Sequence, residues 1–153
     1  MKRFLLLLIL SPVILCAQIS VKKPEAVFDQ LLGTWQFGAN PEFESWTKSK
    51  HVYYGKIYSV ANGDTTTSEE CRIYKSKGKY YFEQKVVISN ISNASTYQLI
   101  ALDQKFMEFE NKNLTFPQKI GYEWIPNNLL VVVQEGLVQG KIEFLEFSYN
   151  QIK

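Results

Sequence analysis

The chain has 153 residues, of which 46% are hydrophobic and 21% charged, and its formal net charge is +2. A chain of this size and composition suits one globular domain with a sizeable apolar core. The 17 basic residues are spread among 15 acidic ones, which argues against nucleic acid as a partner because polyanion binding relies on clustered cations.

The first predicted element is a cleaved signal peptide over residues 1–17. Lys2 and Arg3 precede an apolar run that ends at Ala17, and polar sequence begins at Gln18. A Ser-Pro pair interrupts this run, which leaves it short of the roughly 20 apolar residues that a membrane-spanning helix needs. Cleavage removes two positive charges and leaves the mature chain near neutrality. The sequence therefore predicts a periplasmic or secreted protein without a membrane span.

Cys16 leaves open an alternative, a lipoprotein anchored through this residue. A cysteine just after an apolar run can be lipidated, but the processing enzyme requires a small preceding residue and here meets Leu15. Cleavage after Ala17 is therefore preferred. Cys71 is then the one cysteine left, so no internal disulfide can form and the core alone must hold the fold.

The mature chain, 18–153, is predicted to form a single domain that begins with a short helix. Apolar residues at Val27, Phe28, Leu31 and Leu32 share one helical face, and Gly33 ends the helix. From there the pattern changes to alternation with hairpin turn signals between the segments. The predicted strands are 34–37, 43–48, 52–60, 66–74, 80–88, 96–102, 106–110, 119–125, 129–137 and 141–149.

About ten short strands joined by hairpin-length turns indicate an all-β, antiparallel up-and-down meander. Such a meander hides its edge strands by closing into a barrel. An open sandwich is the alternative, but it needs longer crossing connections than this chain offers. A barrel of this size has an interior that holds side chains and often one small ligand.

Two segments resemble lipocalin-like proteins. The helix runs into Gly33-Thr34-Trp35, similar to the strand entry of lipocalins and the calycin group, which implies that the helix plugs one barrel end. Residues 109–122, FENKNLTFPQKIGY, resemble the Phe-Glu-Asn-Pro-x-His-Asp-Phe-Pro-Gln-Arg-Ile-x-Tyr stretch of a family of exported bacterial lipocalin-like proteins of unknown function. The chain departs from that pattern at Lys112 and at Leu114-Thr115, so the resemblance implies no His-Asp site here.

The sequence predicts no metal site and no cofactor. His51 is the single histidine, whereas zinc and copper sites draw on several His or Cys ligands. Hydrolase motifs that place a serine or cysteine beside a histidine base are also missing from the sequence. Carboxylates are the remaining candidates for acid-base chemistry.

Glu70 and Arg72 are two residues apart in a predicted strand, so both side chains point to one face of the sheet. If that face is the lumen, Arg72 needs carboxylate partners and the pair would orient the polar end of a ligand. If it is the outer face, the pair is simply solvated. The pattern leaves both possibilities open.

These observations favour a monomeric barrel that binds a small apolar or amphipathic molecule in its lumen without turnover. Two alternatives stay open: an envelope interaction protein with a filled barrel, and an enzyme that uses Glu70 or Glu110 as its base. A lid formed by the loop 111–117 is a further hypothesis. The candidate ligand-binding residues combine aromatic and charged side chains, and they are Trp46, Tyr58, Glu70, Arg72, Glu110, Tyr122 and Trp124.

Overall fold

A computed structural model describes residues 23–87 and 94–152. The predicted signal peptide and Cys16 lie outside these residues. The first element is helix α1, Pro24–Phe28, which tightens into a 3-10 turn over Asp29–Leu31. Proline suits the first helical turn because its ring fixes φ and that turn needs no N–H donor. Gly33, with a φ of 117°, then turns the chain into the first strand, as the sequence predicted.

Ten strands follow, which confirms the predicted all-β meander. Several strands are longer than predicted, because tight turns such as Asn62-Gly63, with both φ angles positive, let strand pairing continue to the turn itself. The strands are β1 Gly33–Phe37, β2 Glu42–Ser49, β3 Val52–Ala61, β4 Asp64–Ser76, β5 Lys79–Val86, β6 Ala94–Leu102, β7 Phe106–Glu110, β8 Lys119–Ile125, β9 Leu129–Val138 and β10 Lys141–Ile152.

The strands close into a barrel in which each strand pairs with its neighbours in sequence, and β1 pairs with β10. The closing pair is antiparallel, with Thr34 opposite Ile152 and Phe37 opposite Tyr149. This pairing explains why β10 continues three residues beyond the predicted end at 149. Each of the ten strands within residues 23–87 and 94–152 therefore pairs with a neighbour on both sides.

The interior of the barrel is built by alternation, since successive side chains along a strand point to opposite faces. Trp35 on β1, Trp46 on β2 and Phe82 on β5 all point inward, and each is at most 2% exposed. Four aromatic rings pack in tilted arrangements around Phe82, with centroid separations between 5.5 and 6.4 Å. The core is therefore largely aromatic.

Helix α1 plugs one end of the barrel, which is called the helix end below. Phe28 is fully buried and meets Tyr53 and Tyr80 edge-on at 5.6 and 5.1 Å. The Asp29 carboxylate accepts hydrogen bonds from Tyr53 Oη at 2.7 Å and Lys48 Nζ at 2.6 Å. The expected plug is thus both packed and hydrogen-bonded to the rim.

Glycine is required at position 55 on β3, because the Trp46 ring occupies the space that a side chain would take. The two residues are directly paired across β2 and β3. A Cβ at Gly55 would lie 2.8 Å from the Trp46 ring, closer than van der Waals contact allows. The glycine therefore lets the indole lie flat against the barrel wall, which fixes the ring for the site described next.

Candidate functional site

A small cavity lies in the half of the barrel away from the helix, and it is called the luminal cup below. Its volume is about 140 Å³. Apolar and polar groups share its wall about equally, and carboxylates and amides are among the polar ones. The lining residues are Phe37, Glu42, Glu44, Ile57, Glu69, Phe82, Gln84, Ile120, Tyr122, Val132, Gln134, Phe147 and Tyr149.

Glu44 is the most deeply placed polar group of the cup. It points inward from β2 and is only 2% exposed. Trp46, two residues along the same strand, donates a hydrogen bond from Nε1 to Glu44 Oε1 at 2.6 Å. A buried carboxyl group needs such partners because desolvation is otherwise costly. The Gly55 and Trp46 contact therefore positions the acid.

The environment of Glu44 changes its protonation. Burial raises the pKa of the Glu44 carboxyl from 4.5 to about 7, because the ionised form loses its hydration; hydrogen bonds from Trp46 and Tyr122 lower it, and the nearby Glu69 carboxylate raises it. Near neutral pH this carboxyl therefore exists in both forms. A buried titratable group of this kind in a cavity is a frequent mark of a functional site.

Gln84 and Glu69 are among the other polar residues that line the cup with Glu44. Gln84 donates a hydrogen bond from Nε2 to the Glu69 carboxylate across β4 and β5. Cys71 is buried beside them, and burial raises the pKa of its thiol well above the ordinary value. The thiol is therefore protonated at neutral pH and a poor nucleophile.

Three aromatic rings stand together on one side of the cup. Phe37 lies 5.9 Å from Phe147 and 5.5 Å from Tyr149, measured between ring centroids, with interplanar angles of 59° and 51°. Because the rings are tilted rather than stacked, they present faces in more than one direction. All three belong to the lining of the cup.

A second depression of about 250 Å³ adjoins the cup and shares Glu42, Ile57 and Tyr149 with it. Its outer border includes Phe43 and Tyr58, whose rings stack with a centroid separation of 5.3 Å. The cup and this depression therefore adjoin at Glu42, Ile57 and Tyr149.

The loop between β7 and β8 covers part of the same end of the barrel. Leu114 packs against the core, and the Leu137 backbone N–H donates to Thr115 O at 2.6 Å. Gly136 allows this close approach, since a Cβ there would lie 2.5 Å from Thr115 O. The Asn111 side chain donates a hydrogen bond to the Thr96 backbone oxygen at 2.9 Å. The loop is thus tied to the strands beside the cup.

Two of the predicted ligand-binding residues lie inside the barrel at the cup, and two lie at other places. Trp46 and Tyr122 are both buried in the lumen, the first beneath Glu44 and the second in the cup wall. Tyr58 borders the adjoining depression. Trp124 is at the helix end, where its Nε1 donates to Gln30 O at 3.3 Å, so it holds the plug rather than the cup.

The other three predicted residues lie on the outer face. Arg72 forms a bidentate ion pair with Glu83, in which Nε lies 2.8 Å from Oε1 and Nη2 lies 2.9 Å from Oε2. The Arg72 side chain is 47% exposed. It lies with Glu70 along a surface groove of about 640 Å³. Glu110 pairs with Lys112 at 3.5 Å. The luminal alternative for Glu70 and Arg72 is therefore corrected to a solvated outer face, and neither Glu70 nor Glu110 is placed to act on a molecule in the cup.

Sequence reasoning missed Glu44 and Glu69. The signal for Glu44 was its position two residues before Trp46, because residues i and i+2 of a strand share a face. An aromatic residue expected in the lumen therefore implied a luminal glutamate. Glu69 carries a similar signal, because it lies two residues before the buried Cys71 on the same strand.

No helix within residues 23–87 and 94–152 is long and apolar enough to cross a membrane. In comparisons with known proteins, no family model and no curated protein matched the chain. The lipocalin-like resemblance therefore stays a prediction, and what is established is a closed, ten-stranded antiparallel β-barrel with a short helix at one end and a polar, aromatic cup toward the other.

Proposed function

We propose that the protein is an exported, monomeric barrel that binds one small apolar or amphipathic molecule in the luminal cup, without turnover. The observation that carries this proposal is the cup itself, a cavity walled by aromatic rings with a single buried, hydrogen-bonded acid, Glu44, at its base. Ligand sites in proteins combine aromatic and apolar side chains with convergent polar groups.

The volume of the cup limits the ligand. An apolar cavity of roughly 150 Å³ accepts one benzene molecule. A cup of about 140 Å³ therefore suits a molecule, or the end of a molecule, with about six to eight non-hydrogen atoms. The rest of the lumen is filled by the aromatic core, which excludes the large ligands that an empty barrel of ten strands would hold.

Native mass spectrometry of the protein purified from its own host tests the proposal. We expect an added mass that is lost on collisional activation. Val132 lines the cup, whereas its neighbour Val133 points outward, so Val132→Phe should abolish the added mass and Val133→Phe should retain it. The bare chain mass at every gentle setting would exclude the proposal.

The second candidate, an envelope interaction protein, is favoured by a different observation. The hairpin of β9 and β10 carries apolar side chains that point outward, with Leu137, Ile142 and Phe144 exposed by 41%, 60% and 61%. Exposed apolar groups that adjoin one another often mark a protein contact. In this case Phe144→Ser would dissociate a defined complex isolated from the host, while the Val132→Phe variant would leave that complex intact.

A further inference from the structure

We propose that the ligand of the luminal cup is a small, free organic cation, an alkylated ammonium, held between the three aromatic rings and the cup carboxylates. The inference rests on the proposed function, because it names the chemical class of the molecule that the cup would hold. It is carried by the cavity, by the charge of its lining and by the arrangement of Phe37, Phe147 and Tyr149.

All of the charged side chains that line the cup are acidic. Glu42, Glu44 and Glu69 all border the cup, and none of the described residues that line it is a lysine or an arginine. The remaining polar side chains are two amides and two tyrosines. A carboxylate or phosphate ligand would meet like charge in a partly desolvated space, whereas a cation would be attracted.

The rings favour an alkylated cation over a simple hydrated one. The faces of aromatic rings carry partial negative charge and attract ammonium groups within about 6 Å of the centroid. Phe37, Phe147 and Tyr149 are tilted against one another at 5.5 to 5.9 Å, so a methylated ammonium could contact more than one face. A metal ion is a poor fit, because His, Cys, Asp and Glu side chains form no group of three in metal-binding geometry within the described part of the chain.

Glu44 is the carboxylate that would pair with the bound cation. Its inward neighbours with titratable groups are Glu42 on its own strand, Glu69 and Cys71 on β4, Tyr122 on β8 and Tyr149 on β10. A bound cation lowers the pKa of an adjacent carboxyl. Binding near neutral pH should therefore release a proton from Glu44.

The pH dependence follows from that release. Below the pKa of Glu44, about 7 in the free protein, the carboxyl must lose its proton before it can pair with the cation. Affinity should therefore fall by up to about tenfold for each pH unit below 7, and level off above it. A neutral ligand would bind without this dependence.

Isothermal titration calorimetry with three probes of nearly equal shape and one larger probe tests the inference. Choline carries the quaternary ammonium, 3,3-dimethyl-1-butanol is its uncharged isostere, 3,3-dimethylbutanoate is anionic, and phosphocholine adds a phosphate. We expect choline to bind at least tenfold more tightly at pH 8 than the other three, and more weakly at pH 5.5. Phosphocholine should bind less well than choline, because its phosphate would meet the carboxylates of the cup.

Variants separate recognition by Glu44 from general effects on the fold. Glu44→Gln keeps the shape of the side chain and should weaken choline binding at least tenfold while leaving the alcohol unchanged. Glu70→Gln removes a carboxylate from the outer face of the barrel and is the matched control, expected to bind like the parent. Phe37→Leu leaves every carboxylate in place and should weaken choline binding severalfold.

The outcomes distinguish the inference from the function on which it rests. If the alcohol binds as tightly as choline, or phosphocholine binds more tightly, the cup binds ligands but the assignment to a free cation is overturned. If choline binds equally to the parent and to both cup variants, the inference also fails. If no probe binds and the protein from its host carries no added mass, the proposed function fails with it.

Discussion

Replacing Glu44 by glutamine should remove one contribution to the pH dependence of stability. The carboxyl has a pKa of about 7 in the folded protein and 4.5 as its ordinary value. The unfolded chain therefore loses the proton first as the pH rises. The contribution of Glu44 to the free energy of unfolding is complete below about pH 4.5 and is lost as the pH rises through 7.

The difference of about 2.5 pKa units corresponds to about 3 kcal/mol, since one unit is 1.36 kcal/mol, and most of it is lost between about pH 5 and 7. The amide of Glu44→Gln does not titrate. The variant should therefore match the parent near pH 5 and exceed its stability near pH 8 by about 2 to 3 kcal/mol.

Urea denaturation of the parent and of Glu44→Gln at several pH values from 5 to 8.5 measures this difference. Glu25 and Asp29 have lowered pKa values, so their contributions are lost at more acid pH, outside this range. Burial also raises the pKa of Glu108, but that contribution is common to both proteins and cancels in the comparison. Parallel stability curves for the two proteins would refute the assignment of a buried, neutral-pH carboxyl to Glu44.

Four further predictions concern the packing of Trp46, the helix plug, the outer face and the buried thiol. Gly55→Ala should lower the free energy of unfolding by about 1 to 3 kcal/mol in urea denaturation, because its Cβ would lie 2.8 Å from Trp46. The same Gly55→Ala change made in a Trp46→Phe chain should lower that free energy by less. Phe28→Ala should cost about 3 to 5 kcal/mol by the same assay, because the ring is fully buried between two tyrosines, and a loss near zero would mean that α1 does not plug the barrel. Arg72→Ala should change the unfolding free energy by less than about 1 kcal/mol, as its ion pair is exposed. Cys71 should react with a thiol reagent only after unfolding, and rapid labelling of the native protein would contradict its burial.

The closed meander could be predicted from the sequence because its signals are local. Turn residues such as Asn62-Gly63 mark the hairpins one at a time, and hairpins that follow one another leave two edge strands that closure removes. The register of each pair follows from the turn that joins its strands. The pairing of β1 with β10 has no local signal, which is why the last three residues of β10 were not anticipated.

The candidate site was harder to predict because alternation shows which residues share a face but not which face is inside. Glu70 and Arg72 share a face, and so do Glu44 and Trp46. Only the second pair points into the lumen. The difference depends on Gly55 opposite Trp46, which makes room for the indole inside the wall, and such a relation between two strands is visible only when their register is known.

The three tryptophans of the chain are held by three different acceptors, and this gives the protein built-in optical reporters. Trp35 donates to Leu31 O and Trp124 to Gln30 O, both in the 3-10 turn that follows α1. Trp46 alone donates to a side-chain carboxyl, that of Glu44. Indole emission responds to the charge of its hydrogen-bond partner. The fluorescence of a chain that retains only Trp46 would therefore report changes at Glu44 and would not respond to changes at the helix end.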